Sequence, residues 1–313
     1  MKSIHRNIAV GTFFCLILPH CLLALSLDRI TSRQQQQDDE EVVRVNSDVV
    51  VLNVTVTDAS GKFVSGLTKK DFRIFEDSAE QRISSFGAEE TPFAAAILLD
   101  FSGSMEQRVT LARSAAIRFL DGLRIGDVAA VYRFDAKVTK LQDFGPEKDL
   151  APIIFEQRAK GTTVLNDAVL SASRELAKRE ENRRAIIILS DGMDTSSSAS
   201  ENKALAGATA ADVTIFGVDL SDPTAGNVQA RLAGTAALKN YAAKSGGRYV
   251  STPGGKALRD TFGAIVEELS NQYTITYHSS NHKKDGKWRK IDVQLDRQGL
   301  ALRTRKGYFS AKA

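Results

Sequence analysis

From Asp48 the chain reads DVVVLNVTVTD, with Val50, Leu52, Val54 and Val56 alternating against Val51, Asn53, Thr55 and Thr57. Period-two alternation of β-branched residues predicts a half-buried strand. The stretch ASGKFVSGL predicts a glycine-bearing turn with a short strand, and KDFRIFED and QRISSF predict two more short strands separated by a polar turn. Residues 48–90 therefore read as a small antiparallel β segment, short of a full sandwich.

From Pro92 the period changes. AAAILLD (94–100), AIIILS (185–190) and VTIFGVDL (213–220) are continuously apolar runs; VAAVYRF (128–134) and KVTKLQDF (137–144) are strands joined by a tight connection, and GRYVST adds another. Helices are predicted at 105–123, 164–179, 202–211, 229–245 and 256–270. The first carries Ala112, Ala115, Ala116, Phe119 and Leu123 at helical spacing, and the fourth is stopped by Gly246-Gly247. Apolar strands alternating with helices predict an α/β fold over 92–270, a doubly wound, mostly parallel sheet covered on both faces.

Residues 271–311 return to period two. NQYTITYHSS, KWRKIDVQLD and LALRTRKGYF predict three strands, with Tyr273, Ile275 and Tyr277 on one face of the first. Neither β segment can cover its own apolar face. The economical arrangement packs 48–90 and 271–311 together as a small β-sandwich, with the α/β domain inserted between them.

Ahead of Asp48 the pattern is of another kind. MKSIHRN carries Lys2 and Arg6, and an apolar stretch from Ile8 to Leu25 is broken by Pro19 and His20. With Ala24 and Ser26 as the small residues of a cleavage site, this is the pattern of a secretory signal peptide over 1–26. The breaker pair keeps the apolar run below the roughly 20 residues of a membrane span, so no transmembrane span is expected after cleavage. LDRITSRQQQQDDEEVVRVNS then predicts a solvated linker over 27–47. The expected location is secreted or periplasmic.

Composition adds exclusions. With 42% hydrophobic and 26% charged residues in 313, the chain is neither disordered nor a disulfide scaffold. Both cysteines, Cys15 and Cys21, fall in the expected signal, so the mature chain has no disulfide. Losing Lys2 and Arg6 takes the formal charge from +4 to +2, too dilute to call for a polyanion, and no nucleic acid is expected as a partner. The C-terminal Lys283, Lys284, Lys287, Arg289, Lys290, Arg303, Arg305 and Lys306 read as a charged solvent face.

In open α/β sheets the ligand lies at the carboxyl ends of the strands. After AAAILL comes Asp100-Phe101-Ser102-Gly103-Ser104, after AIIIL come Ser190, Asp191 and Gly192, and Gly161, Thr162 and Thr163 form a loop just before a helix. Converging on one edge, these segments present two carboxylates and several hydroxyls, with no sulfur or imidazole. That donor set suits a hard divalent cation, Mg²⁺ foremost and Ca²⁺ or Mn²⁺ besides, and does not suit zinc. Hydroxyls give lone pairs without quenching charge, so an incoming carboxylate could complete the coordination sphere. Asp194 and Asp135 read as a solvated loop residue and a turn residue. His278 and His282, without cysteines, make no structural zinc site.

D-F-S-G-S-M after a buried strand, G-T-T before a helix and L-S-D-G after a later strand resemble the metal-ion-dependent adhesion site of von Willebrand factor A domains. The resemblance covers about residues 92–270. It implies that Asp100, Ser102, Ser104, Thr163 and Asp191 form the metal site, the hydroxyls close to the ion and the aspartates partly through water. Thr163 takes the third place of the family's G-G-T triplet, where Thr162 replaces the second glycine. The flanks VTVTDASGKFVSGLTKKDFRIFED and QYTITYHSSNHKKDGKWRKIDVQLDRQGLALRTRKGYF resemble the VWFA-related proteins first grouped from acidobacteria, with the same order of signal, β region, A domain and C-terminal β segment.

The function this implies is an adhesion-type protein-binding module, not an enzyme, which takes a Glu or Asp side chain of a partner protein through the cation. Two alternatives stand beside it. A Mg²⁺-dependent phosphohydrolase would use a strand-end aspartate as nucleophile, but its acid/base place two residues on is Ser102. A metal-free scaffold of the cell envelope would leave five suitable positions filled without use.

Overall fold

The computed structural model describes residues 49–87, 91–148, 161–221, 227–252 and 254–312. The expected signal (1–26) and linker (27–47) lie outside the described residues, as do both cysteines. The valine-rich run forms β1 (Val49–Thr57), and β2 (Phe72–Glu76), β3 (Ala79–Gln81) and β4 (Ile83–Gly87) follow. The strand expected in ASGKFVSGL is reduced to a single bridge between Thr57 and Phe63.

The central sheet is built from β5 (Phe93–Asp100), β6 (Val128–Phe134), β7 (Val138–Gly145), β8 (Arg183–Ser190), β9 (Val213–Asp219) and β10 (Tyr249–Ser251). Their order is β10-β9-β8-β5-β6-β7, all neighbours parallel except the β6–β7 hairpin. Alternate residues of β5 enter opposite cores. Ala95, Ile97 and Leu99 pack with α1 (Val109–Asp121) and α5 (Gly255–Ser270), whereas Ala94, Ala96 and Leu98 pack with α2 (Leu165–Ala177), α3 (Glu201–Ala210) and α4 (Val228–Ser245). Burial on both faces explains why β5 reads as one apolar run. The doubly wound α/β fold is thus observed. The helix expected from residue 105 begins instead as a 3-10 turn, Gly103–Arg108, and becomes α-helical only at Val109.

After α5 the chain forms β11 (Tyr273–His278), β12 (Trp288–Leu295), β13 (Ala301–Arg303) and β14 (Gly307–Phe309). Two antiparallel sheets result, β13-β1-β11-β4 and β14-β12-β2-β3, each drawing on both ends of the chain. Leu52, Val54, Ile74, Tyr273, Ile275 and Tyr277 fill the core they enclose. Two expectations are corrected here. QRISSF is not one strand: the chain crosses from one sheet to the other at Arg82, so β3 pairs with β2 and β4 with β11. LALRTRKGYF likewise splits at Thr304–Lys306, giving four C-terminal strands where three were expected. A period of two reports which face a side chain takes, not which sheet its strand joins.

The sandwich meets the central domain through buried polar contacts. Arg183, fully buried at the start of β8, donates to Thr274 Oγ1 at 3.1 Å and to the Thr91 carbonyl at 3.3 Å. Glu268, near the end of α5, pairs with Arg303 and accepts from Thr55 Oγ1 at 3.3 Å. Arg305 and Arg289 belong to the interior and not to the charged solvent face expected for them. Arg305 donates to the Val51 and Thr209 carbonyls at 2.7 and 3.0 Å, and Arg289 to Asp285 Oδ1 at 2.9 Å. The Arg305 guanidinium thus cross-links β1 to the end of α3, while that of Arg289 ties down the Lys283–Asp285 segment.

Candidate metal centre

Asp100 is the last residue of β5 and has no solvent exposure. One of its oxygens accepts the Ser102 backbone N–H at 2.8 Å and the other the Ser190 hydroxyl at 2.5 Å. The Ser190 oxygen accepts in turn from the Gly192 N–H at 2.8 Å. The loops leaving β5 and β8 are therefore both tied back to this one carboxylate. Beyond it the chain tightens into the 3-10 turn, closed by Met105 N–H on the Ser102 carbonyl at 3.0 Å, with the Met105 side chain buried below.

Asp191, just past β8, is 7% exposed. Its Oδ1 accepts the Met193 N–H at 3.0 Å and its Oδ2 the Ser104 hydroxyl at 2.6 Å; Ser104 lies 3.1 Å from Ser102, oxygen to oxygen. A continuous chain of oxygens thus runs from Ser102 through Ser104 to Asp191. Burial first, and then the neighbouring charge of Asp191, push the Asp100 carboxyl up to about 7, against the hydrogen bonds from Ser102 and Ser190. Among the described residues no lysine or arginine pairs with either aspartate.

Thr163 is buried on the loop before α2, while Thr162 beside it is exposed. The Val164 N–H reaches the Asp135 carbonyl at 3.0 Å, which hangs this loop on the end of β6. A Cβ on Gly103 would stand 3.7 Å from the Gly161 nitrogen, so the loop adjoins the Asp100–Ser104 turn. Four of the five expected ligands are brought together by contacts. The Thr163 hydroxyl stands on the adjoining loop, with no partner among the described residues.

Asp194 is exposed on its loop, as expected, and has a structural role besides. It accepts from the Asn166 N–H at 2.8 Å and the Ser197 hydroxyl at 2.5 Å, binding the loop after Asp191 to the first turn of α2. Asp135 closes its turn by accepting the Lys137 N–H at 3.1 Å. Two residues outside the five expected ligands also take part. Ser190 was legible only as the residue before an aspartate, and Thr195, whose hydroxyl accepts the Thr163 N–H at 2.9 Å, stands in a serine-rich loop with no distinguishing signal.

The donor set fits a hard divalent cation. Among the described residues no group of three or more His, Cys, Asp or Glu is placed to hold a metal ion; the acids here number two, and any further ligands would be hydroxyls. A buried carboxylate beside a second one, with no basic partner, is a placement that a cation would relieve.

Residues 95–203 match the family model described as the von Willebrand factor type A domain. No curated protein matches the chain significantly. Among solved structures, the ArnB paralog VWA2 from Sulfolobus acidocaldarius is 15% identical, over 85% of this chain and 77% of that one, with a TM-score of 0.44. A von Willebrand factor type A protein from Catenulispora acidiphila is 12% identical, over 85% and 75%, at 0.43. The PilB minor pilin from Streptococcus sanguinis is 14% identical, over 59% of this chain and 62% of that one, at 0.45.

Proposed function

We propose that this chain, which carries a von Willebrand factor type A domain, is a non-enzymatic binding module that takes a Glu or Asp side chain of a partner protein through a divalent cation. Asp100, Ser102, Ser104, Thr163 and Asp191 would hold the ion. The observation that carries this reading is the fully buried Asp100 beside Asp191, joined by serine hydroxyls and paired with no basic side chain among the described residues. A bound Mg²⁺, or Ca²⁺ or Mn²⁺ in its place, would supply the neutralising charge and a coordination position for an incoming carboxylate oxygen.

The protein's own part is to hold the oxygens still. Ser190 and the Ser102 N–H fix both oxygens of Asp100, and Met193 fixes Asp191. Ser104 is exposed, so the group opens to solvent where a partner's side chain can reach it. With two acids facing a doubly charged ion, room remains for a third carboxylate. An enzymatic reading lacks its acid/base group, because Ser102 stands two residues beyond Asp100. The signal pattern of residues 1–26 supports a secreted or periplasmic location. Among the described residues no helix is long and apolar enough to cross a membrane.

Calorimetric titration with Mg²⁺ and Mn²⁺ tests the ion, and capture of partner protein from an envelope extract with and without EDTA tests its use. One ion per chain and capture abolished by EDTA are expected. Capture that survives EDTA unchanged would sink the reading.

A further inference from the structure

The geometry points to Thr195 as the residue that positions Thr163 for the cation, an inference that rests on the divalent-cation reading of this site. Thr163 is 3% exposed, and a buried backbone group needs a partner. Its N–H donates to Thr195 Oγ1 at 2.9 Å, and its carbonyl accepts from the backbone N–H groups of Thr195 and Ser196 at 2.9 and 3.1 Å. Both backbone polar groups of Thr163 are thereby held by one short segment. Its hydroxyl is left with no partner among the described residues.

That segment is the continuation of the loop that carries Asp191. The carboxylate of Asp191 is fixed by the Met193 N–H, and Asp194 and Ser197 anchor the next residues to Asn166 and Asp167 in the first turn of α2. Thr195 therefore couples two loops that each bring one ligand. Of the three bonds that hold Thr163, the Thr195 side chain supplies the one that substitution can remove while the two backbone bonds remain. Thr195 is itself exposed, so its replacement opens no cavity in the core. Partners of this kind, one shell behind a metal ligand, are worth about 10–100-fold in metal affinity.

The test is Mn²⁺ titration of the full chain as wild type, Thr195→Val and Thr195→Ser, with metal-free melting curves alongside. Thr195→Val keeps the shape and the backbone N–H but loses the acceptor. It should weaken Mn²⁺ by roughly 10–100-fold with little change in metal-free melting, and Thr195→Ser should restore wild-type affinity. Wild-type affinity in Thr195→Val would overturn the role of Thr195 while leaving the cation reading intact, as would a loss that Thr195→Ser fails to restore. Absence of Mn²⁺ binding in the wild type would overturn the cation reading and this inference with it.

Discussion

A carboxylate as deep as Asp100 is costly to ionise unless its oxygens are hydrogen-bonded and its charge is matched. The first condition is met by Ser102 and Ser190, and Asp191 makes the second worse. Asp100→Asn keeps the shape and removes one of the two like charges. Its amide oxygen can still accept the Ser102 N–H, and its amide N–H can donate to Ser190. We expect the metal-free protein to fold and melt much as before, while calorimetric cation binding falls by more than the roughly 100-fold upper range for an outer partner. Unchanged uptake in Asp100→Asn would remove Asp100 from the ligand set. Ser190→Ala is the complementary case. It strips a partner from Asp100 Oδ2 and from the Gly192 N–H, both buried, and should lower stability by about 1–3 kcal/mol on denaturant titration. The serine–aspartate run alone is common in turns; Asp100 was legible in the sequence because it ends a buried strand ahead of alternating serines while Asp191 follows a second apolar strand and Thr163 precedes a helix. Ser190 and Thr195 were not, because a serine or threonine beside an aspartate in a loop is ordinary turn chemistry until its partner across the fold is known.

At the scale of elements, what the hydrophobic period shows and what it hides can be separated. The inner strands β5, β6, β8 and β9 of the central sheet are buried on both faces, so their apolar runs stand out, whereas the edge strands β7 and β10 are partly exposed. The sandwich strands gave their faces but not their partners. At Arg82 the buried Gln81 turns the corner by exchanging hydrogen bonds with Ser280 at 2.9 and 3.0 Å, a long-range contact that no local pattern announces. Glycine at a close approach is another feature visible only in three dimensions. Gly192 has φ +80°, and a Cβ there or on Gly234 in α4 would run into the other's backbone neighbourhood, Gly234 meeting the Asp191 carbonyl. The helix thus lies backbone to backbone against the residue that brings in the second carboxylate. Helix propensity alone would favour Gly234→Ala by about 1 kcal/mol. We expect the opposite sign, a lower melting temperature together with weaker cation binding, because α4 must move off Asp191. A Gly234→Ala variant more stable than the wild type would show that α4 can shift at no cost to the loop.

For the molecule as a whole, the insertion places its two polar regions at opposite ends of the central sheet. The cation candidates stand at the carboxyl edge, after β5 and β8. The contacts with the sandwich stand at the amino edge, where Arg183 opens β8. The seven residue steps from Arg183 to Ser190 amount to about 23 Å at ~3.3 Å per residue in a parallel strand. Arg183 is committed to the junction, since its guanidinium serves Thr274 of β11 and the carbonyls of Thr91 and Leu269. Arg183→Ala would leave those acceptors buried with fewer donors and open a void where a large side chain is fully enclosed. A loss of roughly 2–5 kcal/mol is expected, read as an earlier denaturant midpoint for the full chain. Sites so far apart and without shared partners behave additively to within about 0.5 kcal/mol, near a factor of two in binding. Cation affinity measured on the folded Arg183→Ala protein should therefore stay within about that factor of wild type. A tenfold change would mean that the sandwich and the carboxyl edge are coupled through β8, and that the β segments do more than hold the ends of the inserted domain.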